Sequence, residues 1–235
     1  MKRILLLSIV ALIITACSSE KEGNMLVQGQ IRGLKKGTLY LQKMQDTVLV
    51  SVDSISLLGD DNFKLTGHVE FPEMFYLTFK GNNTNNRILF FAEKGIITIN
   101  DRIAKFGLNP VITGSKNQEI IEKYYKMISR FNDKRLDLIK QSFDANKEKD
   151  ADKIKKTEAE FSRLLRRRYL YTTNYAITNA DYEAAPYIAL TELINANVKL
   201  LDTINNSLSL DVKKSKYGKK FEKFITDIKK TEGNK

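Results

Sequence analysis

Near Pro110 and Gly114 the spacing of apolar residues changes, and the change divides the chain into two kinds of structure. Before it, short runs alternate apolar with polar side chains and favour Val, Ile and aromatic residues, as strands with one buried face do. These runs cover 26–31, 38–42, 47–57, 63–69, 74–79, 88–92 and 96–100, with turn residues between them. The first two, joined by a loop with Gly33 and Gly37 at its ends, read as a hairpin. No segment of helical period lies between the runs, so a parallel sheet with crossover helices is not expected. The pattern predicts an antiparallel β-sandwich or barrel-like domain over 25–114.

After Gly114 the period is helical. Ile121, Tyr124, Ile128, Phe131 and Leu138 fall on one face, and Ser115 with Gln118 forms a candidate capping box. A second helix is expected over 147–175, with Ile154, Phe161, Leu165 and Tyr169 on a stripe. The polar link Phe143-Asp144-Ala145-Asn146 lets the two pair as an antiparallel hairpin with legs of about 40 Å. Pro186 suits the first turn of a third helix through Leu193, and further helices are expected over 198–208 and 211–230. The fold class is therefore α+β, a β domain followed by an all-helical domain over 115–235.

The N-terminus carries an address. Lys2 and Arg3 precede an almost wholly apolar stretch over 4–14 that closes on Thr15-Ala16-Cys17. That order is an export signal, and the stretch is too short for a membrane span. Ile14-Thr15-Ala16-Cys17 resembles the lipobox of bacterial lipoproteins, in which the Cys becomes the first mature residue and is acylated through its sulfur. The resemblance implies a signal peptide over 1–16, a lipid anchor on Cys17, and a polar tether over 17–24. The expected location is the cell envelope, at the outer membrane. The rival reading is an ordinary secretory signal with an incidental Cys.

The formal charge is +11, from 39 Lys and Arg against 28 Asp and Glu, and it falls to +9 without Lys2 and Arg3. Residues 17–117 carry 12 basic and 10 acidic side chains, while 118–235 carry 25 and 18, so the excess belongs to the helices. On an exported chain it is a solvated face, or one that meets lipid headgroups or an acidic partner, rather than a nucleic-acid surface.

Chemistry is sparse. One Cys and one His exclude an intramolecular disulfide, a Cys-x-x-Cys pair and a Cys/His zinc cluster. His68 reads as a structural residue, and Asp60-Asp61-Asn62 reads as a turn because it lacks the spaced ligands of a Ca²⁺ loop. Ser54 with Asp53, or Ser207 with Asp202, reaches a hydrolase triad only through His68, and no Gly-x-Ser-x-Gly is present. No catalytic, metal-binding or cofactor-binding residue is assigned, and no cofactor is expected. Arg166-Arg167-Arg168 is the densest basic cluster, but consecutive helical residues fan about 100° apart and do not address one ligand together. Tyr169, Tyr171, Tyr175, Tyr182 and Tyr187 gather around the second and third helices. They read as packing residues, and an aromatic-lined groove between the β domain and the helices is the expected place for a peptide or small ligand.

Several motifs together resemble a known family. Gly29-Gln30-Ile31-Arg32-Gly33-Leu34, Gly37-x-Leu39-Tyr40-Leu41, the Gly67 strand and a Phe90-to-Ile99 hairpin are similar to the domain of unknown function family 4369. Asp211-Val212-x-x-Ser215-x-x-Gly218 resembles the segment that leads into a thioredoxin fold in longer members. The resemblance implies an exported lipoprotein of Bacteroides-type bacteria, and in such chains a following thioredoxin-like domain performs thiol-disulfide exchange. With one Cys, this sequence looks like the front half of that architecture, and the redox activity does not carry over. Asp46-Thr47-Val48, Asp53-Ser54-Ile55 and Asp202-Thr203-Ile204 resemble the O-glycosylation sites of such proteins. The functional expectation is a membrane-anchored, non-catalytic binding or scaffold module with an envelope protein or peptide partner, a separate thioredoxin-like protein among the candidates, and no nucleic acid. An envelope enzyme, hydrolytic or other, with an unrecognised site and a purely structural envelope component are the rivals.

Overall fold

The computed structural model describes residues 23–80 and 87–233, so the export signal, Cys17 and most of the tether lie outside the described residues. Two four-stranded sheets face each other. Sheet A is ordered β4-β1-β7-β8, from β1 (Met25–Arg32), β4 (Asn62–Gly67), β7 (Gly95–Arg102) and β8 (Val111–Thr113). Sheet B is ordered β3-β2-β5-β6, from β2 (Lys36–Gln45), β3 (Val48–Leu58), β5 (Glu73–Phe79) and β6 (Ile88–Ala92). Alternation along each strand sends Val27, Ile31, Leu65, Ile97 and Ile99 of sheet A against Leu39, Leu41, Phe75, Leu77 and Phe90 of sheet B, all solvent-free. The domain is an open sandwich and not a closed barrel.

Two sequence expectations are corrected here. β1 and β2 are not a hairpin: β1 pairs with β4 and β7, while β2 pairs with β3 and β5. The loop between them is an arch that crosses from one sheet to the other and buries Leu34 at the end of the core. The Phe90-to-Ile99 segment is likewise an arch between β6 and β7, in different sheets. Five of the six strand pairings are antiparallel and one, β1·β7, is parallel. No crossover helix is needed for it, because the chain returns through the opposite sheet. Gly29 permits this pairing: its φ is 149°, and a Cβ there would lie 1.9 Å from the Ile99 carbonyl oxygen. At the entry to β1, the Asn24 side chain donates to and accepts from the Val69 backbone at 2.7 and 2.9 Å. β8, three residues long, is too short to show a period in sequence.

The helices are α1 (Lys116–Glu148), α2 (Ala151–Thr178), α3 (Ala184–Glu192), α4 (Val198–Ser207), α5 (Leu210–Lys214) and α6 (Lys216–Gly233). α1 starts where the capping pair predicted, with the Gln118 N–H donating to Ser115 Oγ at 3.1 Å. It continues through the expected link over 143–146, where Ala145 is buried against α2. The stop is Lys149, at φ 56°, whose N–H returns to the Ala145 and Asn146 carbonyls, and Asp150 then caps α2. At 33 residues, α1 is about 50 Å long. The expected last helix is broken at Ser215, an extended and buried residue whose Oγ accepts from the Gly218 N–H at 3.2 Å. A Cβ on Gly218 would lie 2.0 Å from the Val212 carbonyl oxygen, so α5 and α6 meet at a distance only glycine allows.

Candidate functional site

The helices meet the sandwich on its β5–β6 side, and the tyrosines singled out by sequence gather there. Phe91, on the outer face of β6, packs edge-on to Tyr187 at 5.5 Å and to Tyr217 at 5.8 Å. Ile120, Ile121, Tyr124 and Ile188 complete the cluster, with Tyr171, Tyr175 and Tyr182 against it, while Tyr169 packs into the core of the later helices. The Phe91 N–H donates to Gln118 Oε1 and the Met74 N–H to the Tyr217 hydroxyl, both at 3.0 Å. Asn117, 2% exposed, donates to Glu93 Oε2 and accepts from the Ala184 N–H, each at 2.8 Å. Glu73 pairs with both Lys43 and Lys216. Burial pushes the Tyr187 hydroxyl up to about 12, drives Tyr124 and Tyr217 higher still, and raises Glu183 above the usual carboxylate range. The aromatic groove expected here is filled: the tyrosines form a core that fixes the helices to the sandwich.

The open surface lies farther along the same helices. Past Phe131, α1 and α2 run on as a two-helix arm, in which only Leu138, Ala145 and Thr157 are buried between 132 and 164. Leu136, Ile139 and Phe143 are 63%, 44% and 69% exposed, and their spacing of three and four sets them in one stripe. At the base of the arm, where α3 ends, a groove of about 550 Å³ is lined by Phe131, Arg135, Phe161, Leu165, Arg168 and Tyr169. Arg168 bonds Glu192 Oε2 at 2.5 Å, but its Nε is buried with no acceptor among the described residues. Segments 130–135 and 161–168, which flank the groove, carry seven Lys and Arg and one Asp. Apart from Arg168, none of those seven has an ion-pair partner among the described residues.

The other residues weighed in sequence are engaged elsewhere. His68 is exposed in a polar cleft with Glu70, Glu73, Lys43 and Lys216. The Asp53 carboxylate accepts from the Ser54 and Thr66 N–H groups and holds β3 to β4. Asp202 pairs with Lys229, and the Ser207 hydroxyl donates to the Ile204 carbonyl in the helical half. Asp60 accepts from Asn62, and Asp61 from the Gly33 N–H and Gln30 Nε2, so that triplet is a turn. Among the described residues no three His, Cys, Asp or Glu side chains could hold a metal ion, and no helix is long and apolar enough to cross a membrane. Arg166 and Arg167 are exposed, and Arg168 turns inward. Ser54 and Thr203 are exposed, as is Thr47 in the β2–β3 turn. Sequence reasoning missed the Leu136-Ile139-Phe143 stripe. Its spacing was visible, but it lies beside the face already assigned to the core.

No curated protein and no solved structure matches the chain. One family model, described as a domain of unknown function (DUF4369), matches residues 25–121. The matched span takes in the whole sandwich and the first turns of α1, including Asn117, Gln118 and Ile121 at the junction with the helices. Over residues 25–121 the chain therefore carries a domain of the DUF4369 family.

Proposed function

We propose that the protein is a lipid-anchored envelope lipoprotein that acts as a non-catalytic binding module, receiving an acidic amphipathic helix of a partner protein at the base of the α1–α2 arm. The observation that carries this reading is an apolar groove whose flanking segments, 130–135 and 161–168, carry seven cations against one Asp, with the exposed Leu136-Ile139-Phe143 stripe farther along α1. α3 packs on α1 and α2 and ends at the groove, where Glu192 pairs with Arg168 and Asn195 lines the wall, so a helix laid there would add to that packing. Two or three apolar anchors set against Phe131, Phe161 and Leu165 are worth about 1.5–3 kcal/mol each when fully buried. Acidic flanks on the partner would pair with Arg135, Arg163 and Arg166, which raises the association rate and sets orientation. A second copy docked groove to groove would set the cation-rich flanks 130–135 and 161–168 against each other, which argues against self-association there.

Photo-crosslinking from position 143 in the native envelope tests this. The expected result is one discrete adduct to an acidic protein, lost in Leu136→Asp and in Arg166→Glu/Arg167→Glu. Absence of an adduct, or an adduct only between two copies of this chain, overturns the reading. Cys17→Ser tests the anchor: the variant should leave the membrane fraction, and retention there overturns the lipoprotein assignment.

A further inference from the structure

The outer face of sheet A is not covered by any described helix, and it has its own chemistry. Val27 and Ile31 of β1 and Ile97 and Ile99 of β7 point inward, so alternation turns Gln28, Gln30 and Arg32 outward beside Thr98, Asn100 and Arg102. The parallel register sets these directly side by side: Gln28 with Thr98, Gln30 with Asn100, and Arg32 with Arg102. On the other flank β4 adds Lys64 beside Gln28 and Asn62 beside Gln30. Two contiguous depressions of about 550 and 630 Å³ cross this face and share Gln30 and Asn100.

Two things about the face call for a ligand. Arg32 and Arg102 are exposed neighbours on adjacent strands, Lys105 joins them in the same depression, and none of the three has a carboxylate partner among the described residues. Like charges at paired positions are unfavourable on a sheet. The carboxylate that lines the depression, Asp101, accepts from the Gly107 N–H at 2.7 Å and shapes the following loop. Beside the cations stands a set of amides with unused capacity. Gln30 donates its Nε2 to Asp61, and Asn100 Oδ1 accepts from the Gln30 N–H, which leaves Gln30 Oε1 and Asn100 Nδ2 as an adjacent acceptor and donor. Both functions of the Gln28 amide are unengaged.

We infer that this face binds an acidic oligosaccharide, with its carboxylate or sulfate group on Arg32, Arg102 and Lys105 and its hydroxyls on Gln28, Gln30 and Asn100. Guanidinium groups take oxyanions in bidentate fashion, and an amide offers the donor and acceptor that a pair of hydroxyls requires. Among the described residues the face presents no exposed aromatic platform of the kind on which single-stranded nucleic acid stacks: Phe63, which lines one of these depressions, is buried. The site is separate from the arm groove and does not depend on the reading given to it.

Calorimetric titration of the mature chain tests this with four probes: a uronic-acid tetrasaccharide, a sulfated tetrasaccharide, a neutral glucose tetrasaccharide and inorganic sulfate. An acidic tetrasaccharide should bind in a salt-dependent way and more tightly than sulfate, with the neutral one at least tenfold weaker. Arg32→Gln/Arg102→Gln should weaken acidic binding at least tenfold, and Gln30→Leu should weaken the tetrasaccharide without changing sulfate. Arg166→Gln/Arg167→Gln on the arm should change neither. All substituted side chains on the cationic row are exposed, and unchanged thermal unfolding confirms that those variants fold. Equal affinity for sulfate and tetrasaccharide, loss of acidic binding with the arm variant alone, or no binding of either acidic probe overturns the inference.

Discussion

Asn117→Asp isolates the contact that ties sandwich to helices, because it keeps the shape of the side chain and inverts one hydrogen bond. In the native chain the Asn117 amide donates to Glu93 and accepts from the Ala184 N–H, while Glu93 also accepts from the Lys116 N–H at the start of α1. An Asp at 117 still serves Ala184 but places a second carboxylate against Glu93 in a site that is 2% exposed. Loss of a charge-assisted hydrogen bond removes about 1.5–3 kcal/mol. Two like charges about 4 Å apart at an effective dielectric near 20 add up to roughly 4 kcal/mol, an upper figure that a shared proton lowers. A net loss of about 3 kcal/mol at neutral pH is expected, or a Tm lower by roughly 6–12 °C for a chain of this size. The new carboxylate pair binds a proton more tightly folded than unfolded. Its penalty is therefore full above the folded pKa of the pair and fades as pH falls toward the unfolded values near 4. Glu93→Gln in the same chain reverses the donor and acceptor and should recover about 2 kcal/mol, although alone it costs about 1.5–3 kcal/mol, because its one amide oxygen cannot accept from both the Lys116 N–H and Asn117 Nδ2. Urea unfolding followed by far-ultraviolet dichroism and tyrosine fluorescence reads all four members of the cycle. The reasoning fails if Asn117→Asp lies within 0.5 kcal/mol of the native chain, or if adding Glu93→Gln makes it less stable.

Glu183 is held above the usual carboxylate range chiefly by burial, so the folded chain loses stability as pH rises from the unfolded carboxylate value through the folded one. Glu183→Gln should therefore be more stable than the native chain at neutral pH and converge with it in acid, as read by Tm across a pH series. Gly218→Ala should lower stability by several kcal/mol, since the added Cβ meets backbone at 2.0 Å, while Gly59→Ala, with nothing near its Cβ but a φ of 91°, should cost about 1 kcal/mol. Lys149→Gly should stabilise the arm by about 0.5–1 kcal/mol, because it relieves a left-handed lysine; slower hydrogen exchange over 132–164 would register it. Phe143→Asp should leave Tm within about 1–2 °C, since the side chain is 69% exposed, and change only what the arm binds.

The kinds of element were legible in sequence, and their partners were much less so. Alternation at Val27, Ile31, Leu39 and Leu41 marks strands with a buried face, but the same alternation serves a hairpin and an arch equally. Leu34 was the available cue, because an apolar residue in the middle of a Gly-flanked loop has no reason to sit in a solvated hairpin turn, and here it closes the core. The end of α1 escaped notice because Lys149 adopts a conformation that Gly or Asn usually takes, while Asp144 and Asn146 look more like a stop and are not one. At the break between α5 and α6, Ser215 and Gly218 were on view as a motif, but the close approach of Gly218 to Val212 exists only in three dimensions. The tyrosines were identified as packing residues, and their separation along the chain concealed that Tyr124, Tyr171 and Tyr187 surround a single phenylalanine-centred cluster. The Arg32–Arg102 row could not be read at all, since it depends on the register of strands separated by most of the sandwich.

β1 lies in the middle of sheet A, with β4 along one side and β7 along the other. A pull from the lipid proposed on Cys17 would therefore reach the fold along the axis of an interior strand. It would meet the Asn24–Val69 clamp first and then load both ladders in shear, so that many hydrogen bonds must fail together instead of peeling open one at a time. An edge strand at that position would unzip under the same tension. With the lipid proposed on Cys17, this topology would make the domain a mechanical fastening, able to hold the proposed ligands of the helices and the open sheet face while the membrane moves.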